Sequence, residues 1–191
     1  MTAGCAPVVR GAESGKLMRK LTGIALLLLA LMGTGQAQQN ASPDWSKWQF
    51  LIGSWNAAGK GDPGEGKGGF SFALDLQTRV LIRKSHTDYP AAGTRPAFAH
   101  DDLMIVYLAG PQPQFKADYY DNEGHVIHYA IEFSNNGRTC TFVSDITAAQ
   151  PRFRLTYTQI KAGQVGIKFE IAPPNDPEKF KVYVEGTAQK R

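Results

Sequence analysis

The feature that most constrains the fold is an alternation of apolar and polar residues with a period of two, recurring in run after run from residue 53 to residue 188. Ten runs have strand composition: 53–60, 69–76, 79–88, 102–108, 114–120, 126–134, 139–145, 152–160, 164–171 and 179–188. The separators are turn chemistry. Asp121-Asn-Glu-Gly124, Asn135-Asn-Gly137 and Lys161-Ala-Gly163 read as short hairpin loops, whereas Asp62 to Gly68 and Pro173 to Pro177 are rich in Gly or Pro. Short loops make sequence neighbours antiparallel. With no convincing long helix, the pattern predicts an all-β chain: an antiparallel up-and-down barrel of about ten strands, because closure removes sheet edges that invite aggregation. A two-sheet sandwich is the alternative. Before the first strand, Ser42-Pro-Asp-Trp-Ser-Lys-Trp-Gln-Phe50 predicts one or two helical turns, with Ser42 as N-cap, Pro43 at the first helical position, and Trp45 and Trp48 on one side.

The N-terminal 37 residues read as a segment apart. Met18-Arg-Lys, an apolar run from Leu21 to Met32, and the small residues of Gly33-Thr-Gly-Gln-Ala37 have the order of a cleaved secretory signal. The run is short for a bilayer span. Residues 1–17 lengthen the basic region without need, so translation is expected to start at Met18, and Cys5 would not be made. The domain plan is thus a leader over 1–37 and one barrel domain over 38–191, long enough to bury roughly two thirds of its unfolded surface. The leader carries Arg10, Lys16, Arg19 and Lys20 against Glu13, so its removal takes the net charge from +4 to about +1. A nucleic-acid partner resting on a basic surface loses its support. Cys140 then stands alone, without an internal disulfide, and reads as a small buried hydrophobe. The expectation is a periplasmic or secreted protein without a transmembrane segment after cleavage, a monomer or weak dimer.

Within the first run, "FLIGSWNAAGKG", residues Phe50 to Gly61, sets one Trp among very small side chains. Gly53, Trp55, Ala57 and Gly59 share one face of a strand. If that face is inward, Trp55 forms the floor of a cavity, and Ala57 and Gly59 leave volume above it for a ligand; the indole would serve equally as a core plug. Arg152-Phe-Arg-Leu-Thr-Tyr-Thr158 puts Phe153, Leu155 and Tyr157 opposite Arg152 and Arg154. Val165, Ile167, Phe169 and Ile171 form an apolar face of the next run, and Val182 and Val184 oppose Tyr183 in the last. With apolar faces inward, Tyr157 supplies a hydroxyl to a greasy cavity and the arginines are solvated. With the strand turned at the rim, Arg152 or Arg154 could hold a carboxylate or phosphate bidentately. The expected ligand-binding residues are therefore Trp55, Ala57, Gly59, Tyr157, Arg152, Arg154, Phe169 and Tyr183.

Gly53-Ser-Trp55 after a helical turn resembles the first strand of the calycin superfamily, and Gly53-Ser-Trp55-Asn-Ala57-Ala-Gly59 is similar to the Gly-x-Trp-x-Gly-x-Gly signature of nitrobindin-like barrels, with Ala57 in place of the middle glycine. That resemblance implies a haem held by a histidine late in the chain, with peroxynitrite isomerisation. His86, His100, His125 and His128 all precede the last three strands, so no residue here takes that ligand's place; Tyr157, Tyr183 or a histidine from another wall would be needed. The likeness to the exported, lipocalin-like bacterial branch implies no established activity.

Other constellations have ordinary readings. His125 and His128 fall on opposite sides of extended backbone and do not chelate one metal. His100-Asp-Asp102 could orient an imidazole as a base, but no nucleophile accompanies it, and it reads first as a strand entry. "GKGDPGEGKGG", Gly59 to Gly69, lacks the phosphate-cradling order and reads as a flexible hairpin. No metal or cofactor is assigned, and no catalytic residue. The leading expectation is a barrel that binds a small apolar or amphipathic molecule. A haem-dependent or tyrosine–histidine enzyme, and an envelope interaction protein with a filled core bridged through Cys140, are the alternatives.

Overall fold

The computed structural model describes residues 42–134 and 136–191; the leader, the Met18 start and Cys5 lie outside them. Among the described residues are ten strands, all antiparallel: β1 (Gly53–Gly61), β2 (Gly64–Asp75), β3 (Val80–Tyr89), β4 (Phe98–Ala109), β5 (Gln114–Asp121), β6 (Val126–Phe133), β7 (Thr139–Ser144), β8 (Arg152–Lys161), β9 (Gln164–Ala172) and β10 (Lys181–Lys190). Each strand pairs with its sequence neighbours, and β10 returns to β1, so the meander closes into a barrel. The sandwich alternative is set aside. No helix among the described residues is long and apolar enough to cross a membrane.

The closing seam depends on glycine. β1 and β10 pair from Trp55↔Lys190 to Gly61↔Val184, with Gly59 opposite Gly186. A Cβ at Gly186 would lie 2.4 Å from the Ala58 carbonyl oxygen, and one at Gly59 would lie 2.7 Å from that of Glu185. Both backbones approach more closely than a side chain allows.

One end of the barrel is packed and capped. The sequence leads to a helical turn over 42–50, but only Ser46–Trp48 turns, as a three-residue 3-10 helix. Pro43 lies outside it, and Asp44 rather than Ser42 accepts from the Ser46 amide, at 2.9 Å. Trp48 is fully buried and makes edge contacts with Phe115, Phe133 and Phe142 at 5.4, 5.0 and 5.9 Å between ring centres. Trp45 packs beside it and donates Nε1 to the Thr78 carbonyl, 2.8 Å away. Because Trp48 Nε1 has no hydrogen-bond partner, this plug rests on apolar burial and ring contact. Above it Leu81, Met104, Val106, Cys140, Phe142 and Val165 pack the lower barrel and are fully buried. Thr78 sits in a turn where Leu76, Gln77 and Thr78 all have positive φ, 47°, 54° and 65°, an arrangement that costs roughly 1–2 kcal/mol per residue.

Two strands start four or more residues earlier than the sequence reading has them, and one carries a register shift, each for a backbone reason. β2 begins at Gly64, not 69, since Gly64, Gly66 and Gly68 pair directly with β1 and the turn shrinks to Asp62-Pro63. β4 begins at Phe98, whose ring stacks on Tyr89 at 4.8 Å and extends the β3–β4 ladder to Tyr89↔Phe98. In β10 a register shift between Val182 and Val184 turns Val182 out to solvent, 46% exposed, and lets both Tyr183 and Val184 reach the interior.

The seam makes a sharp forecast. Gly186→Ala should destabilise the protein by at least about 2 kcal/mol, as an overpacked backbone contact does. Gly166→Ala, whose Cβ would make ordinary contacts with the Ile160 side chain at 3.6 Å and the Thr158 carbonyl oxygen at 3.9 Å, should change stability by less than about 0.5 kcal/mol or raise it. Urea midpoints compare them; equal losses would contradict the seam's dependence on close approach.

Candidate functional site

Above the packed layer the barrel is hollow. A cavity of about 610 Å³ opens at the end formed by the β1–β2, β3–β4 and β5–β6 connections, and its three walls have different chemistry. On β1, β2 and β10 the inward positions Ala57, Gly59, Gly66 and Gly186 form a stretch of wall almost without side chains, with Phe70 below it and Tyr183 and Val184 toward the mouth. On β8 and β9 the inward positions are Phe153, Leu155, Ile167, Phe169 and Ile171, an apolar wall. On β3, β4 and β5 they include Arg83, Ser85, His100, Asp102 and Tyr119, a polar wall.

The polar wall is organised around Arg83, which is 7% exposed and paired with Asp102, whose side chain is 6% exposed. Burial disfavours the guanidinium's charge more than any single neighbour favours it, but Asp102 together with Tyr157 and Tyr119 outweighs burial and raises the pKa of Arg83 further. The guanidinium also lies 5.6 Å from the Phe70 ring centre and 5.9 Å from that of Tyr157. Toward the mouth, His100 Nε2 is 3.0 Å from the Tyr119 hydroxyl and Nδ1 is 3.0 Å from Glu123 Oε1. Asp121 accepts from the His125 amide at 2.9 Å and lies 2.8 Å from its ring, and these bonds hold its carboxyl below the ordinary range despite burial. Burial pushes the phenols of Tyr119 and Tyr129 well above their ordinary value and that of Tyr157 up to about 12, so all three stay protonated at neutral pH.

The residues expected from sequence divide into three groups. Ala57, Gly59, Phe169 and Tyr183 line the cavity. Trp55 and Tyr157 are inside the barrel but below it. Trp55 is 1% exposed, donates Nε1 to the Leu51 carbonyl at 2.8 Å and stacks on Phe70 at 5.8 Å, so Phe70 takes the lining position and Trp48, not Trp55, closes the barrel. Tyr157 is fully buried beside Arg83. Arg152 and Arg154 are on the outer face, which corrects the idea of an arginine grip at the rim. Arg152 pairs with Glu178. Arg154 donates Nε and Nη2 to Glu170 at 2.7 and 2.8 Å, with Phe180 across its guanidinium at 4.0 Å. The strand parity that sends Phe153 and Leu155 inward requires this.

Sequence reasoning missed Arg83 and passed over Asp102 and His100. The signal for Arg83 was its place on one face with Leu81 and Tyr89, an arginine among inward residues. His100 and Asp102 are two apart, both inside a strand rather than ahead of it. His128 faces out and meets Asp118, 2.7 Å away, so it shares no ligand with His125. No group of acids, histidines and cysteine suited to a metal ion occurs among the described residues.

No family model matches the chain, and no curated protein does. Solved structures do match. One is described as a de novo design of a fluorescence-activating β-barrel, 9% identical, covering 75% of this chain and 95% of its own, with a TM-score of 0.40.

The Arg154–Glu170 pair predicts an acid limb of stability. Arg154 depresses the pKa of Glu170 below its ordinary value of 4.5, so the pair's contribution is complete above that pH and is lost as pH falls through the folded-state value. Glu170→Gln should therefore be less stable than the native protein at neutral pH, and the gap should narrow in denaturation series taken below pH 4.5. A gap independent of pH would contradict the pairing.

Proposed function

We propose that this barrel binds a small apolar or amphipathic molecule in the hollow above the tryptophan plug. The observation that carries the reading is the division of one cavity into an apolar wall on β8 and β9 and a polar wall on β3 to β5. A molecule with both characters satisfies each wall, whereas water alone would leave the apolar one wet. A volume of about 610 Å³ is within the usual range of ligand pockets, roughly 300–1,000 Å³. The Gly-x-Trp likeness to exported, lipocalin-like calycin barrels and the leader pattern over 1–37 support the same reading, with the protein acting in the periplasm or outside the cell.

For a haem, which the nitrobindin-like signature implies, the cavity offers few donors. Both nitrogens of His100 are engaged, by Tyr119 and Glu123, and Tyr157 is beneath the lining. That leaves Nε2 of His125, at the rim with its side chain 57% exposed and Nδ1 against Asp121, and Tyr183 in the lining. An intermolecular bridge through Cys140 is also disfavoured, because the thiol is fully buried and burial pushes its pKa up.

Nile red provides the test. The native barrel should bind it saturably, one per chain, with enhanced emission. Ala57→Phe puts a ring into the stretch of wall where Ala57, Gly59 and Gly186 leave space, and should weaken binding by about ten-fold or more while the thermal midpoint stays within a few degrees. Absence of saturable binding, or an Ala57→Phe variant that binds as well as the native chain, would overturn the reading.

A further inference from the structure

Arg83 is under-supplied with acceptors. A guanidinium carries five N–H donors, and among the described residues Asp102 is the one carboxylate hydrogen-bonded to Arg83, through Nη1, with the Tyr157 hydroxyl close by as a weaker acceptor. Arg83 Nε has no partner although it is buried, and the buried Tyr157 hydroxyl beside it also lacks a hydrogen bond of normal geometry. An unsatisfied buried donor is costly, so its presence in a cavity wall marks a place for an acceptor.

The nearby acids do not fill that place. Asp102 is spent on Nη1, Glu123 faces His100, and Asp121 faces His125. The guanidinium edge left over, Nε with Nη2, offers two parallel N–H groups, the fork that a carboxylate's two oxygens match. Depth sets the direction of entry. On β3, Arg83 is the first inward position above Leu81 of the packed layer, while Ser85, Thr87 and Tyr89 follow toward the mouth. Near the mouth the opposite wall is apolar, with Phe153 paired to Ile171 and stacked on Phe169 at 6.0 Å.

We propose that the cavity's ligand is an acidic amphiphile that enters head first and seats its carboxylate on Arg83, with the apolar tail running up the β8–β9 wall to the mouth. This inference rests on the binding reading above and adds to it the ligand's class and orientation.

Calorimetric titration of the native chain with decanoate and with decan-1-ol, below their aggregation limits and near neutral pH, tests it. Decanoate should bind about ten-fold or more tightly than the alcohol, as charge-assisted hydrogen bonds imply. The double variant Arg83→Met with Asp102→Asn removes both charges together, so neither is stranded, and should bind the two equally. If the native protein binds both equally, or the folded double variant keeps the preference, the head-first proposal is overturned while binding itself stands. If neither probe binds, the binding reading fails as well. Should the double variant not fold, carbon-13 NMR of carboxyl-labelled decanoate on the native protein decides. Titration of the bound carboxyl at lower pH than the free acid supports the contact with Arg83, and titration at the same pH or higher overturns it.

Discussion

The barrel depends on β10 reaching β1 closely enough to complete the hydrogen-bonded ring. Gly59 and Gly186 face each other across that seam, where a Cβ on either would run into its partner's backbone. Closure removes both free edges that an open ten-stranded meander would present. The same small residues have a second effect. Because the seam strands carry Ala57, Gly59 and Gly186 inward, the middle of that side adds almost nothing to the upper barrel, and the cavity follows from the way the sheet closes.

The two halves of the interior then take different solutions to one packing problem. Below, Trp48 supplies a large ring where ten tapering strands leave a hole, and the aromatic side chains of β5, β6 and β7 meet its edges. Above, no side chain comes in to do the same, and the wall opposite the apolar strands is polar. A buried Arg83–Asp102 pair contributes little net stability, since desolvation offsets most of the attraction, and an apolar pair of similar size would serve folding as well. Its position in a cavity wall, with phenols kept protonated around it, suits recognition better than folding.

The strand count, the antiparallel order and the residues that share a face on β1, β8 and β9 were legible in the sequence, since a period of two fixes which side chains travel together; which face of β8 turns inward was not. Strand boundaries at Gly64 and Phe98 were not, because glycine-rich and proline-rich segments look irregular whether or not their backbone is paired; the ladder, not the side chains, decides. Trp55 was read as the floor since the largest residue of a small-residue strand draws attention. Whether Trp48 or Trp55 closes the end depends on how the 3-10 turn folds under the barrel, a long-range contact with Phe115 and Phe133. Arg83 was passed over because a single arginine in "VLIRKSHTDY" resembles a solvated strand residue until the parity set by Leu81 is followed through.

The central claim is that the protein has a permanent hollow between a tryptophan-plugged base and an open mouth. Xenon under pressure in crystals of the protein tests it most directly, because xenon collects in preformed apolar space. The account predicts xenon density against Phe70, Leu155 and Ile167, with Trp48 closed beneath it. Continuous side-chain density through that region, with Arg83 turned out to solvent and no xenon bound, would contradict it.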